Sequence, residues 1–287
     1  MVLVACVFLL PFPSVWADPD ADTHDAPKKT ITMLTPPSNF YPVYIADPVR
    51  PQSAIKLLYF PDSEIPAVGV GRLSLHLGGR FGLVRWHPED EPERGWQLDF
   101  EGGFFAQFDL EGGLDNIGWD GLFGVYLSWL PDRNLGFRMG VSHDSAHIGD
   151  EFAESTGRKR INYTREEITA GVSRRLTPRW QVYFDGGYSY ILEEFQESWR
   201  LETGVQYFGV RKFWNERMTW YAALDLQSFQ ENEWQVRYAA QLGLILPTGR
   251  GTSRYRIAAE AGTGRSVMGE FFFRDETYIG IGWYFDF

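Results

Sequence analysis

The feature that most constrains this chain is a two-residue alternation. It runs through almost everything after residue 53 and gathers ions on one of two faces. In WQLDFEGGFFAQFD (96–109), Trp96, Leu98, Phe100, Phe104, Ala106 and Phe108 share a face opposite Gln97, Asp99, Glu101, Gln107 and Asp109. WQVYFDGGYSYIL (180–192) sets Trp180, Val182, Phe184, Tyr188, Tyr190 and Leu192 against Gln181, Asp185 and Ser189. WQVRYAAQLGLIL (234–246) sets Trp234, Val236, Tyr238, Ala240, Leu242, Leu244 and Leu246 against Arg237 and Gln241. SRYRIAAEAG (253–262) repeats the pattern, with Tyr255, Ile257, Ala259 and Ala261 against Arg254, Arg256 and Glu260. Successive strand side chains point to opposite faces, whereas a helix would scatter these residues around its surface.

Ions on one face and apolar residues rimmed by Trp and Tyr on the other fit a transmembrane β-barrel. Lipid lies outside, the lumen is polar, and the aromatic rings sit at the interface. A soluble β-sandwich also alternates, but here the segments are often ten or more residues long and recur about a dozen times. Strands are expected near 53–60, 68–86, 96–108, 119–130, 134–147, 161–176, 179–192, 198–212, 217–229, 233–247, 253–265 and 272–287. The predicted fold is therefore all-β, an antiparallel barrel of about twelve strands and outer-membrane type. Tight connections at 131–133 and 177–178 alternate with longer ones such as 109–118 and 148–160, as short inner turns and long outer loops would. The stretch 88–95 is long for the turn side.

Composition agrees. Aromatics are 16% and glycines number 30, while hydrophobic residues are only 44%, which suits alternating strands and turns better than a helical enzyme. A formal net charge of −11 argues against a nucleic-acid partner. Cys6 is the single cysteine, so neither a disulfide framework nor a cysteine metal site is expected.

The first 17 residues read as an export signal, with an apolar core over 2–10 and a small-residue cleavage site ending at Ala17, although a basic start is missing. Residues 18–52 are expected to form a periplasmic leader and 53–287 the barrel. Arg138, Glu202, Asp225, Arg237, Arg254, Arg256 and Glu260 all face the lumen on this register. Both signs are present, so paired charges filling a narrow barrel are preferred to a selective pore.

Three stretches, YIADPVRPQ (44–52), GGRFGLVRW (78–86) and HDSAHIGDEF (143–152), resemble the domain-of-unknown-function 1207 family of bacterial outer-membrane proteins. In that pattern Arg usually follows ADP; here Val49 comes before Arg50. The resemblance covers most of the mature chain and implies location and fold, not an activity. The closing YIGIGWYFDF also resembles the C-terminal insertion signal of such barrels, with Gly280 where a polar residue is usual. It implies recognition by the barrel-assembly machinery through Phe287, with the 148–160 connection outside the cell.

The stretch GFRMGVSHDSAHIGDEF (136–152) carries the candidate chemistry. Phe137, Met139 and Val141 face lipid, so His143, Ser145 and His147 continue outward near the external end. Outward polar groups are costly unless they lie at the interface or have a task. A His-x-Ser pair facing lipid resembles the arrangement in outer-membrane phospholipase A and the outer-membrane lipid A deacylase. In that reading Ser145 attacks an ester, His143 takes its proton, and Glu166 or Asn162 of the next strand orients the imidazole. Ala146 and His147 stand where those hydrolases commonly carry Asn-Gly-type residues.

Two function classes follow. The first is a structural or narrow-pore outer-membrane barrel; the alternative is an esterase acting on outer-membrane lipids. His143 and His147 would lie ~13 Å apart on a strand, too far for one metal. No cofactor is expected, and calcium on Asp150 and Glu151 has nothing further to support it.

Overall fold

The computed structural model describes residues 29–193, 195–213, 218–247 and 254–286. The export signal and Phe287 lie outside them. The strands are β1 (Thr30–Leu34), β2 (Ser53–Ser63), β3 (Gly71–Pro88), β4 (Gly95–Asp109), β5 (Asp115–Asp132) and β6 (Leu135–Ile148). After a short helix, α1 (Asp150–Thr156), come β7 (Thr164–Arg175), β8 (Trp180–Leu192), β9 (Trp199–Phe213) and β10 (Met218–Phe229). The chain ends with β11 (Val236–Pro247), β12 (Arg254–Arg265) and β13 (Asp275–Asp286).

Strands β2 to β13 each pair antiparallel with the next, and β13 pairs back onto β2, with Trp283 opposite Ile55. The result is a closed twelve-stranded antiparallel barrel. The twelve strands expected from the alternation are these, with ends moved by a few residues. β1 was not anticipated. It extends the sheet beside the end of β3 that β2 does not reach, with Ile31 opposite His87.

The two faces sort as the pattern requires. Phe184 is 49% and Leu242 59% exposed on the outside, whereas Asp185 and Gln241, their neighbours in sequence, are buried inside. Among the described residues no second sheet covers Phe100 or Phe184, so the sandwich alternative is excluded. Gly78 stands opposite Gly103 and Gly79 opposite Gly102, and a Cβ on Gly78 would run into the Gly102 carbonyl and Gly103 Cα of β4.

The expected periplasmic leader does not stay apart from the barrel: its last part fills the lumen. Tyr41, Tyr44, Ile45, Asp47, Arg50 and Gln52 are all buried. Tyr44 stacks on Tyr183 of β8 at 3.7 Å, and the Ile45 amide donates to Gln206 of β9 at 2.6 Å. Gly171 of β7 makes room here, because a Cβ there would sit 2.9 Å from the Tyr41 hydroxyl and 3.2 Å from that of Tyr44.

Arg50 lies 3.1 Å from Glu202, 3.2 Å from Asp47 and 3.7 Å from Glu101. Arg200 reaches Glu167 at 2.8 Å, and Asp185 and Glu202 at 2.7 Å. Arg138 reaches Glu101 at 2.8 Å. Charges that pair this way can share a narrow interior at far lower cost than single ones. Of the lumen charges expected to pair, Arg138, Glu202, Arg254, Arg256 and Glu260 do, whereas among the described residues Asp225 and Arg237 are hydrogen-bonded to Tyr183 and Gln227 instead; the segment threaded among them was not foreseen. The reason is that residues 41–52 carry no alternation, so nothing local tells a mobile leader from a packed one.

The long connections cluster at one end and close over it. Ile65, Ile117, Phe152, Met268 and Phe271 form a buried apolar cap, with the Phe152 ring edge-on to Phe271 at 5.4 Å. The 148–160 connection, expected as plain loop, contains α1, whose one buried residue is Phe152. Its Asp150 and Glu151 are exposed in the first turn, where the helix dipole favours negative charge. In the 266–274 connection Glu270 is fully buried, and burial raises its carboxyl above the usual range. The Ile161 amide, Arg158 and Arg160 pull it partly back.

Candidate active site

The β6–β7 ladder places Val141 opposite Ile168, His143 opposite Glu166 and Ser145 opposite Thr164. Val141 and Ile168 face outward, so the period of two carries His143, Ser145 and Glu166 onto the outer wall. His143 Nδ1 lies 2.6 Å from a Glu166 carboxylate oxygen. About a quarter of each side chain is exposed, 23% for His143 and 27% for Glu166. With Nδ1–H donated to the carboxylate, the lone pair of the neutral imidazole is on Nε2. Among the described residues Nε2 makes no hydrogen bond.

Aromatic rings hold this group. The His143 ring packs on Phe123 at 4.8 Å, and His147 stacks on Trp119 at 3.9 Å. Trp119 in turn leans on Phe104 at 5.2 Å. Between Trp119 and Phe123 on β5 stands Gly121, opposite Ser145. A Cβ on Gly121 would lie 3.8 Å from Ser145 Oγ and 3.8 Å from the Trp119 ring. The missing side chain therefore leaves a notch between two rings, with the Ser145 hydroxyl at its edge. That hydroxyl makes no hydrogen bond among the described residues.

The sequence named four residues for this site, and the structure brings three of them onto one patch. Glu166 pairs with His143. Asn162 does not: its backbone has φ of 57°, which ends the strand, and its side chain donates to Glu193 at 2.9 Å. β7 consequently begins at Thr164, not near 161. The Ala146 and Gly149 amides of the AHIGDE stretch are engaged with Tyr163 O and Ile117 O, so neither is open to an oxyanion. Gly121 was missed. Its signal was present as Trp-x-Gly-x-Phe over 119–123, an outward aromatic row interrupted by one glycine.

The family model described as protein of unknown function, DUF1207, matches residues 19–287. The chain belongs to this family. Among curated proteins none matches it in sequence. Among solved structures it resembles Escherichia coli outer membrane phospholipase A, with a TM-score of 0.58 over 84% of this chain and 93% of that one, at 12% identity. Salmonella typhi outer membrane phospholipase, solved as a dimer with bound calcium, gives a TM-score of 0.57 over 84% and 93% at 10% identity. At such identities the likeness is one of fold. This DUF1207 chain has the barrel architecture of bacterial outer-membrane proteins.

Proposed function

We propose that this chain sits in the bacterial outer membrane and hydrolyses ester bonds of membrane lipids on its outer wall. The observation that carries this reading is the outward His143–Glu166 pair beside Ser145, on a barrel whose lumen is filled. A polar pair facing hydrocarbon or the interface is costly unless it has work there. The named activity of the two similar structures is consistent with such work, and their likeness by itself supports the fold.

In this mechanism Ser145 Oγ attacks the ester carbonyl carbon while His143 Nε2 takes the hydroxyl proton. Glu166 holds Nδ1–H and stabilises the imidazolium. The carbonyl–alkoxy bond then breaks, and the proton passes from His143 to the departing alkoxide, leaving an acyl-serine. Water, deprotonated by His143, attacks the acyl group and releases fatty acid and free Ser145. Residues two apart on a strand are about 6.7 Å apart along it, so the proton transfer requires the His143 and Ser145 side chains to lean together when substrate binds.

A second reading is a purely structural barrel in which His143 and Glu166 anchor the wall among lipid headgroups. The lack of a Ser145–His143 hydrogen bond favours it. Lipid profiling of cells expressing the chain or its Ser145→Ala form separates the two. Excess lysophospholipid or free fatty acid only with the unaltered chain supports hydrolysis. Identical profiles, with both proteins folded in outer-membrane fractions, leave the structural reading.

A further inference from the structure

Behind the outward patch, on the lumen side of the same wall, is a second group of charges. Asp144 stands between His143 and Ser145 in sequence and so points the other way. Asp120 on β5 also faces inward. The register sets Asp120 opposite Ala146 and Leu122 opposite Asp144, so the two carboxylates are diagonal neighbours on one sheet face. Both line a cavity of about 50 Å³ beneath the loop cap, together with Tyr163, Asn232, Gln235 and Ser266. One water needs roughly 10–15 Å³ measured this way, so the space admits an ion with several waters.

Deeper in the lumen Glu101, Glu167, Asp185 and Glu202 are matched by arginines. Asp120 and Asp144 form no direct ion pair among the described residues, although Arg165 and Arg200 act on Asp144 electrostatically from beyond ion-pair distance. Arg237 and Arg265 line the same cavity but are turned to Gln227, and to Asp275 and Phe273 O, respectively. Asp120 is 8% exposed; one of its oxygens accepts the Gly269 amide at 2.8 Å. Its other oxygen, Oδ1, is buried without a hydrogen-bond partner. A buried carboxylate oxygen left bare is costly unless something neutralises it.

We propose that this cavity binds a hard divalent cation of the calcium type, with Asp120 and Asp144 as its charged ligands. The Asp120 and Asp144 carboxylates, with the Arg165-paired Glu231 and amide and hydroxyl oxygens in the same lining and neither sulfur nor imidazole among them, are the donor set that such ions prefer. The bound ion ties β5 to β6. Through Asp120 and the Gly269 amide it also ties both strands to the 266–274 connection. It thereby fastens the cap and stiffens the β6 segment that presents His143 and Ser145 on the opposite face. The site stands whether or not the outer wall is catalytic, and it is distinct from Asp150 and Glu151, which are exposed on α1.

The test uses the full chain folded in detergent, stripped with a chelator and titrated with calcium chloride. Saturable one-site binding with a rise in the heat-unfolding midpoint is expected. Asp144→Asn, which removes a charge but no hydrogen bond, should weaken apparent affinity about tenfold or more, since ligand charge sets affinity in such sites. Asp150→Asn should leave it unchanged. Terbium(III) emission from the unaltered chain, displaced by calcium, gives a readout that needs no variant. Absence of both the calcium response and displaceable terbium emission overturns the proposal, as does equal calcium affinity in folded Asp144→Asn.

Discussion

Across the β6–β7 ladder, Nδ1 of His143 lies 2.6 Å from the carboxylate of Glu166, on the outer face of the barrel. The register sets them directly opposite, so neither residue needs a loop to reach the other. If the patch hydrolyses lipid esters, His143→Ala should cut the rate roughly a hundred- to ten-thousand-fold, the usual contribution of a general base. Glu166→Gln should cost less, because an amide oxygen still accepts from Nδ1–H. Fatty-acid release from mixed detergent–phospholipid micelles, with folding checked by heat-dependent gel mobility, reads both.

The Gly121 notch supplies a steric test. A Cβ there meets ordinary contacts at 3.8 Å, so Gly121→Ala should fold normally. Gly121→Leu would fill the space between Trp119 and Phe123 and screen Ser145. Hydrolysis of long-chain esters should then fall at least about tenfold with the heat-unfolding midpoint unchanged, as expected when access and not stability is lost.

Arg50 holds the lumen segment among Asp47, Glu101 and Glu202. Arg50→Met leaves those buried carboxylates short of a counter-charge, at a cost of about 3–5 kcal/mol. The unaltered barrel should be silent in planar bilayers. The variant should unfold at lower temperature and give intermittent cation-selective current where the segment lets go.

Glu270 gives the loop cap a pH dependence with a definite sign. Its folded-state carboxyl is raised by burial, so the folded chain holds that proton to higher pH than the unfolded chain does. Between the ordinary carboxylate range and the raised value the folded state binds more protons, and stability falls as pH rises. Hydrogen exchange in the 266–274 connection should quicken across that mildly acidic window, and Glu270→Gln should remove the effect.

The outward belt can be tested at one position against its neighbour. Leu242 is 59% exposed on the outer face, and Arg there should cost about 2–4 kcal/mol if the belt meets hydrocarbon. Folding yield into lipid vesicles, compared with Leu242→Ile, measures it.

Much of this molecule was written in the chain itself. Strand number, inside and outside, and the outward facing of His143, Ser145 and Glu166 all follow from parity, because a period of two leaves a side chain only two directions. The opposition of His143 and Glu166 was nearly legible too, since one strand length fixes the other across a hairpin. Other features needed the closed barrel. Tyr44 and Arg50 sit in the lumen because strands far away in sequence supply Tyr183, Gln206 and Glu202, and no local pattern encodes a partner about 140 residues off, the separation of Tyr44 from Asp185. The notch at Gly121 and the bare Asp120 Oδ1 behind it likewise exist only once neighbouring strands are in register. Parity is a property of one strand, but a cavity is a property of several packed together.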